Sequence, residues 1–251
     1  MAPILNLILT MSCTATARNP DGTGRQALIR LMTWLSPAFP IGAYSYSHGL
    51  EAAIAAGLVH DRASLAGWTE AIIAHGTGRN DAVFLLAAQR AALVGDAAAL
   101  ADVVEKAAAW RGTAELALES AAQGIAFLQA VRAAWPHPLL DTLAARLAEG
   151  DPAPAYAVAV GVAAAAASVA EDVAVAAYLQ AFAGNIVSAG LRLIPLGQTD
   201  GLKVLASMER VIQAVSDEAL GMTLDQIGSA TLMVDWCSMR HETQYTRLFR
   251  S

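Results

Sequence analysis

Charge is what this chain of 251 residues has least of. Asp, Glu, Lys and Arg make up only 15% of it, against roughly a quarter in an ordinary soluble domain. So thin a charged surface implies cover, either from another protein or from lipid. The charge that exists is the wrong sign for nucleic acid: 22 acidic residues against 16 basic, net −6, which excludes DNA or RNA as the main partner. Cysteine is nearly absent. Cys13 and Cys237 stand far apart with no CxxC, so a disulfide framework is excluded and a reducing compartment, the cytoplasm, fits. The opening MAPILNLILTMSCTA has an apolar run but no basic residue ahead of it, which argues against a secretory signal. Catalytic signatures are missing as well: no GxSxG, no P-loop, no dinucleotide fingerprint, and RHETQ lacks the second histidine of HExxH. No period-2 strand is present either, since YAVAVGV alternates only alanine with valine and leads into five alanines.

What is there is alanine, 57 residues of it. Alanine is the best helix former and its small side chain lets helices approach closely. The expected fold is therefore all-α, a single-domain helical bundle of roughly nine or ten helices over residues 25–251, with a flexible leader at 1–24 and a C-terminal tail at 238–251. Residues 25–35 place Leu28, Leu31, Met32 and Leu35 on one face. Asp61 suits the N-cap of a helix to about 76, and NDAVFLLAAQRAALVGD reads as the next, with Asp81 near its start and Gly95 past its end. Helices over 96–110 and 113–134 follow, WPHP stops the second, and a short helix runs to about 148. Pro154 suits the first turn of the next helix. Two apolar helices then reach about 192, and IPLGQTDG turns into a helix over 200–219, with a last one from about 223. Residues 153–170 and 173–191 are uncharged, near spanning length. Their alanine, with Gly161, Gln180 and Asn185, contributes little to insertion, so two buried helices are expected, no membrane is expected, and an alanine-rich membrane protein stands as an alternative.

Three segments depart from this background. SPAFPIGAYSYSHGLE, residues 36–51, breaks the first helix with Pro37, Pro40, Gly42 and Gly49, and gathers Tyr44, Ser45, His48 and Glu51. It reads either as a helix connection whose hydroxyls satisfy loop amides or as a recognition surface. On a helix, His48 and Glu51 would share a face, which leaves open an all-α enzyme using that pair. NIVSAGLRLIPLGQTDG, residues 185–201, puts Arg192 at a helix C-terminus, with Gln198, Thr199 and Asp200 able to cap the following helix. SMRHETQYTRLFRS, residues 238–251, ends an acidic chain on Arg240, Arg247 and Arg250 beside Tyr245 and Phe249, the composition of interface anchors. Cys237, Met239 and His241 could touch a soft metal in passing, but no three-ligand constellation stands out, so no metal site is expected.

Together the three segments, in this order and spacing, resemble the signature segments of the urease accessory protein UreF family, from about residue 28 to the end. AELALESAAQGIAFLQ carries less arginine than the family's segment there, and no functional residue is transferred to it. The resemblance implies an accessory protein with no catalytic residues, a homodimer that binds UreD (also called UreH), recruits the GTPase UreG and docks on apo-urease during nickel insertion. It implies no tightly bound cofactor, nickel being handled by the complex, and a possible influence on GTP hydrolysis by UreG. It places partner contacts on Tyr44, Ser45, His48, Glu51, Gln198, Asp200, Arg240, Tyr245, Arg247, Phe249 and Arg250, with 36–51 presented at the surface and the tail a docking arm that is mobile until bound.

Overall fold

The computed structural model describes residues 23–251, so the expected leader, apart from Thr23 and Gly24, lies outside the described residues. The described residues form eleven α-helices and two 3-10 turns, with no strand. The element ends follow local chemistry. Asp61 caps α3 (Arg62–His75), accepting from the Ser64 N–H at 2.8 Å while the Ser64 hydroxyl accepts from the Asp61 N–H. α4 (Thr77–Val94) stops at Gly95, whose φ of 70° is left-handed. Asp96 caps α5 (Ala97–Ala109), Thr113 caps α6 (Ala114–Ala134), and Pro138 opens α7 (Pro138–Ala148).

α8 (Tyr156–Ala166) is the axis of the bundle, every residue from Tyr156 to Ala165 being buried. It lies along α4 and α6. Close approach explains its composition: a Cβ on Gly161 would overlap the Leu85 carbonyl, and one on Gly124 of α6 would overlap the Pro154 carbonyl. Pro154 itself precedes the helix, which starts at Tyr156, instead of opening its first turn. α9 (Glu171–Leu193) and α10 (Gln198–Leu220) pack on each other and enclose the far side. Among the described residues α9 is the one helix long and apolar enough to span a membrane, and half of that stretch is buried against the bundle.

Two apolar clusters result. The larger joins Trp34, Phe84, Leu85, Phe127, Tyr178 and the alanine and valine side chains of α8. The smaller gathers Leu50, Leu65, Ile72, Ile186, Val234, Cys237 and Phe249 where the chain's last residues meet the body. The first helix, α1 (Thr23–Trp34), differs from the expected face. Ala27, Leu31 and Trp34 point inward, while Leu28 and Met32 are exposed, because the indole of Trp34 stacks edge-on against Phe127 and Trp135 and sets the helix's rotation. Gln198, Thr199 and Asp200 do not cap α10. Gly197 is the N-cap without a side-chain bond, and Asp200 sits in the first turn, where its charge complements the helix dipole. Asp81 lies near the start of α4 as expected, one turn inside it, and is buried.

Candidate functional site

The three unusual segments meet at one end of the bundle. The first reaches it through a backbone device. His48 (φ 56°) and Gly49 (φ 77°) are both left-handed, just ahead of α2 (Leu50–Ala55). A side chain on Gly49 would press on the Val234 carbonyl at 3.1 Å, in α11 (Leu232–His241), so this reversal also lets α2 nest on α11. The reversal separates His48 from Glu51. They do not share a helix face, and their side chains enter different networks. The shared helix face that their spacing suggested, and with it the acid–base pair left open, is therefore corrected.

Glu51 is 7% exposed and works as an acceptor for the tail. Its Oε1 accepts from the Leu248 N–H at 2.7 Å, and its Oε2 from the Phe249 N–H at 2.9 Å. The same Oε2 is 3.0 Å from His241 Nε2, and His241 Nδ1 is 2.8 Å from Glu115 Oε2. Arg247 Nη1 donates to Glu115 Oε1 at 3.0 Å. One carboxylate thus satisfies two backbone donors that no regular ladder serves, and a second anchors the tail's arginine.

Beside it, His48 Nδ1 lies 3.4 Å from Glu119 Oε1, and Nε2 lies 3.0 Å from Thr77 Oγ1. Glu119 Oε2 accepts from Ser251 Oγ at 2.7 Å. The Ser251 carbonyl accepts from both the Ser47 N–H, at 2.9 Å, and the Ser47 hydroxyl, while the Arg250 N–H donates to the Ser45 carbonyl at 2.8 Å. Burial pushes the Glu119 carboxyl up, but His48, Ser251 and Arg111 outweigh it and hold the carboxyl below its ordinary value. Deeper in, Arg111 pairs with Asp81 at 2.6 Å, and the Tyr178 hydroxyl donates to Asp81 at 2.7 Å. Burial pulls Arg111 down, yet Asp81 keeps it above its usual range; burial, then Asp81, raises Tyr178 well above its own.

The second segment contributes a wedge. Arg192 lies over the Tyr44 ring at 4.1 Å and the Phe249 ring at 4.3 Å, and donates to the Tyr44 carbonyl at 2.8 Å. Arg192 thus joins the first segment to the third.

The expectation of a surface-presented segment and a mobile arm is corrected accordingly. His48, Glu51 and Phe249 are buried, and residues 247–251 are seated on the body by the hydrogen bonds above. The physical reason is that a buried carboxylate requires donors, and the tail amides supply them. Outward-facing residues remain. Tyr44 and Tyr245 are exposed, Tyr245 completely, as are Arg240, Arg247, Arg250 and Gln198, while Ser45 and Asp200 are half-buried. Arg240 lies near the Trp236 ring and Arg250 near the Tyr46 ring, each at 5.8 Å. Gln198 and Asp200, on α10, take no part in the hydrogen bonds that hold the tail.

The residues missed from sequence are Glu115 and Glu119. Their signal was a pair of like charges at i, i+4 on a half-buried helix, unfavourable alone and thus a pointer to cations and donors elsewhere. His241 was quoted within the third segment but weighed only as a metal contact. Its two nitrogens instead face two carboxylates, Cys237 is buried with its thiol pushed up to about 11 by burial, and Met239 is exposed. Among the described residues, no three His, Cys, Asp or Glu side chains are placed to hold a metal ion.

Fold and site together describe an all-helical protein whose charged residues fold its own end back and leave an apolar, aromatic and arginine-bearing surface outside. The UreF family model matches residues 59–209. Over 237 residues the chain is 52% identical to the urease accessory protein UreF of Rhodopseudomonas palustris strain HaA2, covering 94% of this chain and 99% of that one. It is 51% identical over 225 residues to that of a Bradyrhizobium species (90% and 92% covered) and 48% identical over 231 residues to that of Granulibacter bethesdensis (92% and 97%). The chain belongs to the UreF family of urease accessory proteins. An accessory role in urease maturation, rather than a catalytic one, goes with that membership.

Proposed function

We propose that the chain is a scaffold of urease maturation that holds UreD (UreH) and the GTPase UreG on apo-urease while nickel is delivered. The observation that carries this reading is the seated tail. Glu51, Glu115 and Glu119 hold residues 247–251 against the body, so that Tyr44, Arg240, Tyr245, Arg247 and Arg250 stand outward on one firm base. A preordered surface avoids the entropy cost of ordering a free arm at each encounter. Tyr44, Ser45, Arg240, Tyr245, Arg247 and Arg250 make the contacts to UreD, while His48, Glu51 and Phe249 act from beneath by fixing their positions; Gln198 and Asp200 mark a second contact region on α10. Exposed Leu232, Met233, Trp236 and Met239 extend the surface along α11. A homodimer covers a further face, in keeping with the low charge fraction. Nickel is cargo of the complex and not a resident cofactor of this chain, UreG's GTP hydrolysis is tuned within that complex, and the setting is the cytoplasm.

The test is a pull-down of tagged UreD against the wild-type chain and a Tyr245→Ala/Arg250→Ala variant. Both side chains are exposed, so circular dichroism and melting should be unchanged. Losing two anchors of roughly 2 kcal/mol each should lower affinity by more than a hundredfold and abolish urease activation in cells. Undiminished retention on UreD would overturn the assignment of this surface.

A further inference from the structure

Two buried polar networks approach each other without a direct bond. One runs from the tail, Ser251 to Glu119 to His48 to Thr77. The other ties Arg111 and Tyr178 to Asp81. Between them lies a cavity of about 20 Å3 bordered by residues of both, His48, Thr77 and Glu119 on one side and Asp81 and Arg111 on the other, with Ser120. Two of these bordering residues carry a buried atom that finds no hydrogen-bond partner among the described residues, Nε of Arg111 and Oγ of Ser120. The Arg111 side chain is 6% exposed, and a guanidinium N–H cannot be silenced by losing its proton. An unpaired buried donor of a charged group is among the costliest arrangements a core can hold.

We infer that this cavity binds one structural water molecule, accepting from the Arg111 Nε–H and hydrogen-bonding the Ser120 hydroxyl. Size and chemistry both select it. A water needs roughly 10–15 Å3 of such space and two to four polar partners, whereas cavities that stay empty are lined by apolar groups. The mixed lining selects a neutral guest, since Asp81 and Glu119 oppose an anion and Arg111 opposes a cation. The water joins Ser120 of α6 to the network that Arg111 makes with Asp81 of α4 and Tyr178 of α9. This inference stands independently of the partner assignment above.

Crystals of the full chain diffracting to about 1.8 Å test it directly. Density for one ordered water within 3.2 Å of both Arg111 Nε and Ser120 Oγ is expected. A dry cavity, or an Arg111 Nε that bonds a protein oxygen instead, overturns the proposal. In solution, water-to-protein cross-relaxation at the Gln123 side-chain amide, which also borders the cavity, should carry the sign of a slowly tumbling, long-lived water. It should vanish in Ser120→Val, whose methyl groups fill the space. A signal of the fast-exchanging sign in the wild-type chain, or one that persists unchanged in Ser120→Val, would overturn the proposal.

Discussion

The core around α8 and the polar end beneath the tail are equally buried and held by opposite means. Around α8 the side chains are mostly alanine, valine and glycine, and stability comes from close approach of backbones rather than from charged groups. Beneath the tail, three glutamates, two histidines and the Arg111–Asp81 pair are withdrawn from water, and each is tolerated because a donor or a counter-charge stands within hydrogen-bond reach. The first region sets where the helices lie. The second sets where the chain's last residues lie, with few chemical groups, so it can be changed piece by piece.

The comparison breaks most completely at Gly124. Gly124→Leu drives a side chain into the Pro154 and Ala155 backbone, which cannot swing aside. A loss on the order of 4–5 kcal/mol or more is expected, read as insoluble or molten protein. A well-folded variant of normal melting temperature would mean that the α6–α8 approach is looser than described.

Next is Glu51→Ala, which strands the Leu248 and Phe249 amides and one side of His241. The cost is about 3 kcal/mol, and it falls on the tail. Hydrogen exchange should speed at Leu248 and Phe249 while amides of α4 and α8 keep their protection. Uniform acceleration throughout the chain would show that the two regions unfold as one.

A smaller effect belongs to Arg192. Replacing it with alanine removes two ring contacts and the bond to Tyr44, about 1–2 kcal/mol for a partly desolvated cation on aromatics. Arg192→Lys should recover only part of it, because lysine keeps the charge without the stacking plane. Full recovery would make charge alone the cause.

The smallest effect at neutral pH, and one that grows only in acid, is titration of Glu119. Its folded carboxyl lies below the ordinary value of 4.5. The stabilisation is therefore complete above that value and is lost as pH falls through the lower folded one. Tail protection should decline below about pH 4.5, and in Glu119→Gln that step should disappear. A tail indifferent to pH down to 3 would refute the role given to this carboxylate.

The sequence by itself determined most of the helices, although the last, expected from about 223, starts only at Leu232 after a 3-10 turn at Leu224–Gln226. Periodicity, the Asp61 cap, Gly95 and the WPHP stop act within one turn of where they stand, and the structure returns those elements within a few residues. It also flagged the segments that matter. Only the tertiary structure decided what their residues do. Glu51 meets His241 across 190 positions and Phe249 across 198, and spacing along the chain carries no trace of such pairs. Two left-handed residues, His48 and Gly49, undid the helical face that the i, i+3 spacing promised. Exposure was equally undecidable: a glutamate, a histidine and a phenylalanine read as recognition residues became the floor beneath them, because burying one carboxylate obliges the fold to bring donors to it, and the donors came from the other end of the chain.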